Sequence, residues 1–403
     1  MADAQDFAAA GARIGVRVYN QISAAGLARL PAERYQVGKE VAEPAAILLR
    51  SADLHATPIP ASVVAIARAG AGTNNIPVEA MSARGVPVFN APGANANAVK
   101  ELVLAGMLMA ARHIAPALRF VAQLDPGAAD LDAQVEGGKK AYAGFELAGR
   151  TLGVIGLGKI GCLVADAAIK LGMQVLGYDP DITVDAAWSL PAQVRRAASV
   201  DEVLRRADFV TLHVPLLDGT RHLVNERNIG LMRAGAVLLN FSREGVVSDA
   251  AALEALGAGR LAGYVCDFPS PATIGQPKVV ALPHLGASTA EAEENCAVMV
   301  VDQLREYLEH GQIANAVNFP NVHMERESRF RVAIANSNVP NMLGQISTTM
   351  AQAGLNIHTM LNKSRGAMAY TLVDVDSAVQ APVLQALAAI EGVLAVRYLP
   401  APA

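Results

Sequence analysis

Residues 152–161 read L-G-V-I-G-L-G-K-I-G and decide the fold. A short apolar strand runs into the glycine turn at 156–161, and a helix-forming run follows. The first glycine permits a tight turn with positive φ, the second lets a pyrophosphate approach the backbone, and the third lets helix and strand pack closely. The helix N-terminus then offers free N–H groups to phosphate. The expected cofactor contacts in this turn are Gly156, Gly158, Lys159, Ile160 and Gly161.

A carboxylate follows the next predicted strand. The strand Met173–Tyr178 leads into Asp179, eighteen residues after the last glycine of the turn, close to the roughly 20 residues usual for a ribose contact. Asp179 would accept hydrogen bonds from the ribose hydroxyls and repel a 2′-phosphate, which favours NAD over NADP. A glycine-rich turn without a ligand is the alternative, which the combination of strand, turn, helix and acid disfavours.

Size and composition bound the class of protein. The 403 residues are 52% hydrophobic, and at about 150 residues per domain they predict two or three domains. The net charge is −4, and no basic run suggests nucleic acid. The acidic start lacks the basic region of a signal peptide, and no apolar run reaches the roughly 18 residues of a membrane span. We therefore expect a soluble, cytoplasmic protein without nucleic-acid or membrane partners.

The cysteines are few and widely separated. Cys162, Cys266 and Cys296 form neither a C-x-x-C pair nor a metal-binding spacing. We expect each to be a small buried hydrophobe and expect no metal site.

Residues 151–285 predict a parallel, doubly wound sheet. Its spacing leaves room for right-handed crossovers, and such sheets bind ligands at the carboxyl ends of their strands. The predicted strands are 152–155, 174–178, 209–213, 236–240, 263–266 and 279–282. Polar residues at or near the ends of the later strands are Asp179, His213, Arg243, Asp267 and His284.

A first α/β domain precedes this sheet. Strands are expected at 13–19, 45–49 and 86–90, with helical stretches between them. Helices are expected from 97 to about 115, stopped by Pro116, and from 288 to about 309. If the chain leaves and re-enters through these helices, residues 1–96 and 288–320 form a discontinuous substrate-binding domain around a dinucleotide-binding domain at 97–287.

The tail at 328–403 shows the order βαββαβ, which is typical of a ferredoxin-like unit. Its strands are expected at 330–335, 357–362, 370–374 and 395–399. Helices are expected from 341 to about 353 and near 382–390.

Several motifs resemble the D-2-hydroxyacid dehydrogenase family, in particular members with a C-terminal ACT domain, over nearly the whole chain. Besides the glycine turn, the matching motifs are A-R-A-G-A-G at 67–72, N-A-P at 90–92, T-L-H-V-P at 211–215, N-F-S-R at 240–243 and P-H-L-G-A-S-T at 283–289. The resemblance implies NAD-linked oxidation of 3-phospho-D-glycerate to 3-phosphohydroxypyruvate, the first step of L-serine biosynthesis.

Hydride transfer from a 2-hydroxy acid needs a base and a cation. His284 is the candidate base, and Arg243 is the candidate cation because a guanidinium pairs with a carboxylate through two hydrogen bonds. By resemblance, His213 and Pro215 line the adenosine side and Asp267 lies near the nicotinamide amide.

Substrate contacts are expected in the first domain. The turn formed by Ala71, Gly72 and nearby Asn74 is a candidate anion nest for the substrate carboxylate, with a turn that serves only the fold as the alternative. By resemblance, Arg50 and Arg68 contact the phosphate.

The chain departs from the family pattern between Asp267 and His284. The family usually places a glutamate there to pair with the imidazole, but this segment has no Asp or Glu. The partner is therefore absent, replaced from elsewhere, or supplied by Asp267. We expect an active enzyme that favours oxidation.

The tail resembles domains that pair across a dimer and bind amino acids at the join. By resemblance, Asn336, Asn338 and Asn356 fall where serine-binding groups lie in serine-inhibited relatives, although Asn336 and Asn341 depart from the usual histidine and glycine. The resemblance thus implies a homo-oligomer, a dimer or tetramer, with L-serine as an effector; a dimerisation module that binds nothing is the alternative.

Two other functions stay open. One is a dehydrogenase of another D-2-hydroxy acid, which Arg50, Arg68 and the tail disfavour. The other is a non-catalytic NAD(H)-sensing protein on the same fold, for which the missing glutamate is the only support.

Overall fold

The computed structural model describes residues 4–6 and 13–401. The chain divides into two compact units, one formed by Met1–Asn95 with Ala290–Ala403 and the other by Ala96–Thr289. The finer limits 1–96, 97–287, 288–320 and 328–403 remain predictions.

The first segment builds a parallel five-stranded sheet in the order β3-β2-β4-β5-β6. Its helices are α1 (Ala24–Leu27) and α2 (Val78–Ala83). The strands of this segment are β1 (Ala4–Asp6), β2 (Ile14–Val18), β3 (Tyr35–Gly38), β4 (Ala46–Leu49), β5 (Ala65–Arg68) and β6 (Val88–Phe89).

The sequence predicted β2, β4 and β6 but missed β3 and β5, and it expected more helix than the two short ones observed. The apolar run A-I-A-R of β5 is buried over three of its four residues. A short run of this kind has no periodicity that separates a buried strand from a buried helix.

The second unit is a seven-stranded parallel sheet in the order β13-β12-β11-β10-β7-β8-β9. The strand order reverses between β7 and β10, where doubly wound sheets bind ligands. The strands are β7 (Thr151–Ile155), β8 (Gln174–Tyr178), β9 (Arg195–Arg196), β10 (Phe209–Leu212), β11 (Ala236–Asn240), β12 (Leu261–Cys266) and β13 (Val279–Ala281). The helices are α3 (Ala96–Ala111), α4 (Ile114–Ala122), α5 (Leu131–Gly138), α6 (Lys159–Lys170), α7 (Val184–Ser189), α8 (Val200–Arg206) and α9 (Asp249–Gly257).

The predicted end of α3 at Pro116 is wrong. The helix ends at Ala111, His113 takes a left-handed φ of 50°, and α4 starts at Ile114. Pro116 lies in the first turn of α4, where backbone N–H groups have no partner within the helix and the missing donor is tolerated.

The tail has the predicted βαββαβ order. After α10 (Ala290–His310) come β14 (Phe330–Ser337), α11 (Met342–Gln352), β15 (Ile357–Arg365), β16 (Met368–Val375), α12 (Ala381–Ala388) and β17 (Val393–Pro400). Their sheet runs β1-β17-β14-β16-β15, and only β1 pairs in parallel.

Both faces of this tail sheet are covered. Helices α11 and α12 bury one face with residues such as Ile346 and Leu387. On the other face, Tyr370 and Leu372 share one core with Leu304 of α10 and with the first sheet. The tail sheet is therefore packed into the first unit.

Within the described residues, no single helix is both long enough and apolar enough to span a membrane; α3 and α4, bent by 68°, pass that test only as a pair and only by length and composition.

Candidate active site

Two glycines of the turn, Gly156 and Gly161, meet the conformational and packing requirements that the sequence predicted. Gly156 takes φ of +92°, and a Cβ there would lie 2.5 Å from the carbonyl oxygen of His213. A Cβ on Gly161 would lie 2.0 Å from the Gly156 oxygen, so this glycine lets α6 pack onto the turn. An added Cβ at Gly158 meets nothing within 4 Å, which leaves open space for a phosphate in front of the N-terminus of α6.

Asp179 is tied to this turn. One carboxylate oxygen accepts from the N–H of Leu157 at 2.8 Å, and the other accepts from the N–H of Asp181 at 3.0 Å. A carboxylate has about four acceptor positions, so two further hydrogen bonds can still be made to ribose hydroxyls.

His213 follows β10 and carries a buried, unpartnered nitrogen. Its Nε2 lies 3.0 Å from Thr211 Oγ1, whereas Nδ1 has no hydrogen-bond partner among the described residues. Burial lowers the pKa of His213 to about 3, so the ring is neutral. Pro215 is exposed two residues further on. The open space at Gly158, the free acceptor positions of Asp179 and this nitrogen fit a dinucleotide.

Arg243 lies in a turn held by Asn240. The Asn240 Oδ1 accepts from the Ser242 hydroxyl at 2.9 Å, and its Nδ2 donates to the Arg243 carbonyl at 3.0 Å. Burial lowers the pKa of the Arg243 guanidinium. The ordinary pKa of arginine is so high that the group nevertheless stays cationic. In the described part of the chain Arg243 has no ion-pair partner, which leaves it able to bind an anionic substrate.

Asp267 clamps the loop that carries His284. Its carboxylate accepts from the N–H of Leu285 at 2.7 Å and from the N–H of Gly286 at 2.8 Å. Burial raises the pKa of Asp267, and the two N–H donors oppose that shift. Both carboxylate oxygens thus accept hydrogen bonds from the backbone next to His284.

In the described part of the chain, no carboxylate makes a hydrogen bond to the His284 imidazole. Among residues 4–6 and 13–401 neither ring nitrogen makes a hydrogen bond or ion pair, and the ring packs against Phe268 with centroids 4.7 Å apart. One alternative for the missing glutamate was that Asp267 supplies the partner. Its carboxylate oxygens instead accept hydrogen bonds from the N–H groups of Leu285 and Gly286. His284 itself takes a left-handed φ of 56°, which is uncommon for a residue other than glycine.

In the other unit, Arg50 follows β4 and Arg68 is the last residue of the neighbouring strand β5. Leu49 of β4 pairs with Arg68 of β5, so both arginines lie at the carboxyl edge of the first sheet. Arg50 Nη1 is 2.7 Å from Glu293 Oε1. Both arginines oppose the burial that raises the pKa of the Cys296 thiol, which places both near it.

The loop after β5 has the free donors of an anion nest. The Asn90 side chain donates to the Ala71 oxygen at 2.6 Å and fixes the loop. The backbone N–H groups from Ala71 through Gly72 to Asn74 have no acceptor in the described chain. A carboxylate or phosphate fits this loop.

The three asparagines of the tail are not brought together within one chain. Asn336 pairs with Ala369 at one end of β14, whereas Asn356 precedes Ile357, which is opposite Val375 at the other end. Asn338 lies with Asn336 and donates to the Gly366 oxygen. Asn336 is buried, and its Oδ1 has no partner among the described residues.

The cysteine prediction holds in the structure, where all three thiols are free and buried. The described residues contain no group of three or more His, Cys, Asp or Glu side chains that could hold a metal ion.

Sequence reasoning missed three residues of these sites: Phe268, Asn240 as the clamp of the Arg243 turn, and Glu293. Asn240 lies in a motif quoted for the family, so its position was a usable signal. The contacts of Phe268 and Glu293 join segments that are distant in the sequence, so no local sequence pattern predicts them.

Comparison with known proteins shows which family the chain is similar to. Residues 104–286 match the family model for the D-isomer specific 2-hydroxyacid dehydrogenase, NAD binding domain. A D-3-phosphoglycerate dehydrogenase from Methanocaldococcus jannaschii is 36% identical over 297 residues, which are 72% of this chain and 54% of that protein, about half its length. One from Haemophilus influenzae is 34% identical over 343 residues, covering 81% of this chain and 79% of that protein. The crystal structure of the TT0316 protein from Thermus thermophilus has a TM-score of 0.61 at 28% identity, covering 75% of this chain and all of that chain.

The chain belongs to the D-isomer specific 2-hydroxyacid dehydrogenase family. The match over 104–286 includes the glycine turn, Asp179 and Asp267. The resemblance to this dehydrogenase family and the prediction of NAD as cofactor are thereby confirmed.

Proposed function

We propose that this protein oxidises 3-phospho-D-glycerate to 3-phosphohydroxypyruvate with NAD, as the first step of L-serine biosynthesis. The observation that carries the proposal is the strand-end arrangement of the second unit. There the glycine turn follows β7, Arg243 follows β11 and His284 follows β13. Arg243 has no ion-pair partner among the described residues. The names of the Methanocaldococcus and Haemophilus relatives support the choice of substrate.

The residues divide the chemistry between them. His284 takes the proton of the C2 hydroxyl as the C–H bond at C2 breaks, and its free ring nitrogens allow this. Arg243 pairs with the substrate carboxylate and the developing carbonyl oxygen. Bound NAD supplies the acceptor for the hydride, so the alcohol is oxidised by two electrons and one proton remains on His284.

Binding of the substrate phosphate is assigned to the first unit. Arg50 and Arg68 supply two guanidinium groups, whose planar geometry matches phosphate. The free N–H groups of Ala71, Gly72 and Asn74 add donors for the carboxylate. This set favours a phosphorylated acid over D-lactate or D-glycerate. A cytoplasmic site of action accords with the three free thiols.

We also propose that the protein forms a homo-oligomer in which a second copy packs against α4. Leu118 and Val121 on this helix are 65% and 57% exposed, and nearby Leu108 and Val135 are exposed as well. An apolar face of this kind marks an interaction surface. Light scattering of Leu118→Lys with Val121→Lys should show a smaller particle than the unmodified chain; an unchanged mass excludes this surface.

L-serine is proposed as the effector, bound through Asn336 and Asn338, with Asn356 contributed by a second copy. The buried, unpartnered Oδ1 of Asn336 supports a polar ligand at this end of β14. Titration of L-serine into the NADH-forming assay should lower the rate, and a flat curve leaves the tail as a dimerisation module.

One assay tests the central proposal. NADH formation is measured with 3-phosphoglycerate, D-lactate and D-glycerate under identical conditions. Activity with 3-phosphoglycerate alone supports the proposal. Preference for an unphosphorylated acid indicates another dehydrogenase of the family, and NADH binding without turnover of any substrate indicates a nucleotide-sensing protein.

A further inference from the structure

We propose that Phe268 is a positioning residue for His284, whose ring orients the imidazole in place of a carboxylate partner. The inference rests on the proposed function, in which His284 is the base. It follows from one ring contact, one fixed backbone, and an imidazole that makes no hydrogen bond or ion pair within the described chain.

The backbone of His284 is already fixed. Its N–H donates to the Leu282 oxygen at 3.0 Å, and Leu282 in turn donates to the Cys266 oxygen at 2.8 Å. On the other side, Asp267 holds the N–H groups of Leu285 and Gly286. These bonds set where the Cβ of His284 lies, but none of them restricts rotation of the ring.

Phe268 restricts that rotation from one side. Its ring centroid lies 4.7 Å from the imidazole centroid, with the planes tilted by 49°. Aromatic rings prefer such offset or tilted arrangements at about 4.5–7 Å. Phe268 lies two residues after the end of β12 and is half-buried, whereas His284 is exposed, so the less exposed ring supports the more exposed one.

An aromatic support differs chemically from a carboxylate. A carboxylate occupies one ring nitrogen and favours the protonated imidazole through its full charge. The face of a phenyl ring attracts a cation more weakly and leaves both nitrogens free. His284 thus keeps its orientation with both ring nitrogens free, which suits a base that acts in the oxidative direction.

Asp267 does not fill the same role, although it precedes Phe268 directly. Both of its oxygens accept backbone N–H groups, and its burial raises its pKa. Its part is to hold the loop. The ring contact to the imidazole comes from Phe268.

The kinetic test compares Phe268→Leu, which keeps apolar bulk, with Phe268→Tyr, which keeps the ring. Phe145→Leu removes a comparable tilted contact with Phe209 elsewhere in the same unit and is the control. We expect Phe268→Leu to lower kcat for 3-phosphoglycerate oxidation about 10- to 100-fold with KM nearly unchanged. Phe268→Tyr should stay within about threefold of the unmodified enzyme, since the ring is kept. An unchanged kcat in Phe268→Leu, or an equal loss in Phe268→Tyr, overturns the proposal.

A second measurement does not depend on the reaction. The chain has eight histidines, and loss of a resonance in His284→Gln assigns the His284 ring protons by NMR. Ring current from Phe268 should displace these resonances from the positions of a free imidazole, and the displacement should vanish in Phe268→Leu and persist in Phe268→Tyr. If no tested acid is oxidised, the proposed function fails while this readout still decides the contact; an unshifted resonance in the unmodified protein refutes the contact itself.

Discussion

Arg331 and Asp374 form a fully buried, two-pronged ion pair inside the tail sheet. Arg331 Nε lies 2.7 Å from Asp374 Oδ1, and Nη2 lies 2.9 Å from Oδ2. The same guanidinium donates to the carbonyls of His310 and Glu325, which ties the C-terminal end of α10 to the sheet. A cation at that end also complements the helix dipole.

Removing one member of this pair should destabilise the first unit strongly. Arg331→Met leaves the Asp374 carboxylate buried without its partner, which costs about 3–5 kcal/mol of unfolding free energy. The double variant Arg331→Met, Asp374→Leu should recover most of the loss because no charge stays buried. Urea unfolding measures both, with Arg206→Met, which removes an exposed ion pair with Glu202, as a control that should cost no more than about 1 kcal/mol. A double variant as unstable as the single one would contradict this account.

The cofactor preference should depend on Asp179. Asp179→Ser removes the charge that repels a 2′-phosphate and weakens the contact to the ribose hydroxyls. A hydrogen bond to a charged group contributes about 1.5–3 kcal/mol, so the ratio of kcat/KM for NAD over NADP should fall about 10- to 100-fold. Asp181→Ser, two residues away and exposed, is the matched control. An unaltered ratio in Asp179→Ser would place the ribose elsewhere.

The ion pair between Arg50 and Glu293 should compete with the substrate phosphate. Their atoms are 2.7 Å apart and both side chains are partly exposed. Glu293→Gln removes the competing charge, and a surface pair of this kind is worth about 0.2–1 kcal/mol. KM for 3-phosphoglycerate should therefore fall about 1.5- to fivefold at unchanged kcat. The neighbouring Glu294→Gln should have no effect, and a rise of KM in Glu293→Gln would show that Glu293 positions Arg50 instead.

The glycine turn could be predicted from the sequence because its roles are local: positive φ at Gly156 and close packing at Gly161 depend on neighbouring residues. Polar residues at strand ends were found for a related reason, since a parallel sheet aligns its carboxyl ends. The position of Asn356 could not be predicted in this way. Strand β16 lies between β14 and β15, and its antiparallel register puts Ile357 and Asn336 at opposite ends of the sheet.

The features that could not be predicted depend on contacts between residues that are far apart in the sequence. Phe268 reaches His284 only because β12 and β13 are neighbours and the loops after them meet. The segment after Asp267 showed that a carboxylate was missing, yet nothing in its composition indicated that a phenyl ring would take its place. Absence of a residue is visible in a sequence, whereas its replacement depends on the fold.

Stability should fall in mild acid because of His213. Burial lowers its pKa to about 3 in the folded protein, against about 6.5 in the unfolded chain. Between these values the unfolded chain binds one more proton than the folded one, so the contribution of His213 is complete above about pH 6.5 and decreases as the pH falls, by up to about 1.4 kcal/mol per pH unit.

His213→Asn should flatten this dependence by about one proton. Urea unfolding at several pH values between about 5 and 8 gives the slope for both proteins. His222→Asn, at an exposed histidine of the same unit, should leave the slope unchanged. Equal slopes for His213→Asn and the unmodified protein would mean that His213 is already protonated in the fold, with a partner at Nδ1.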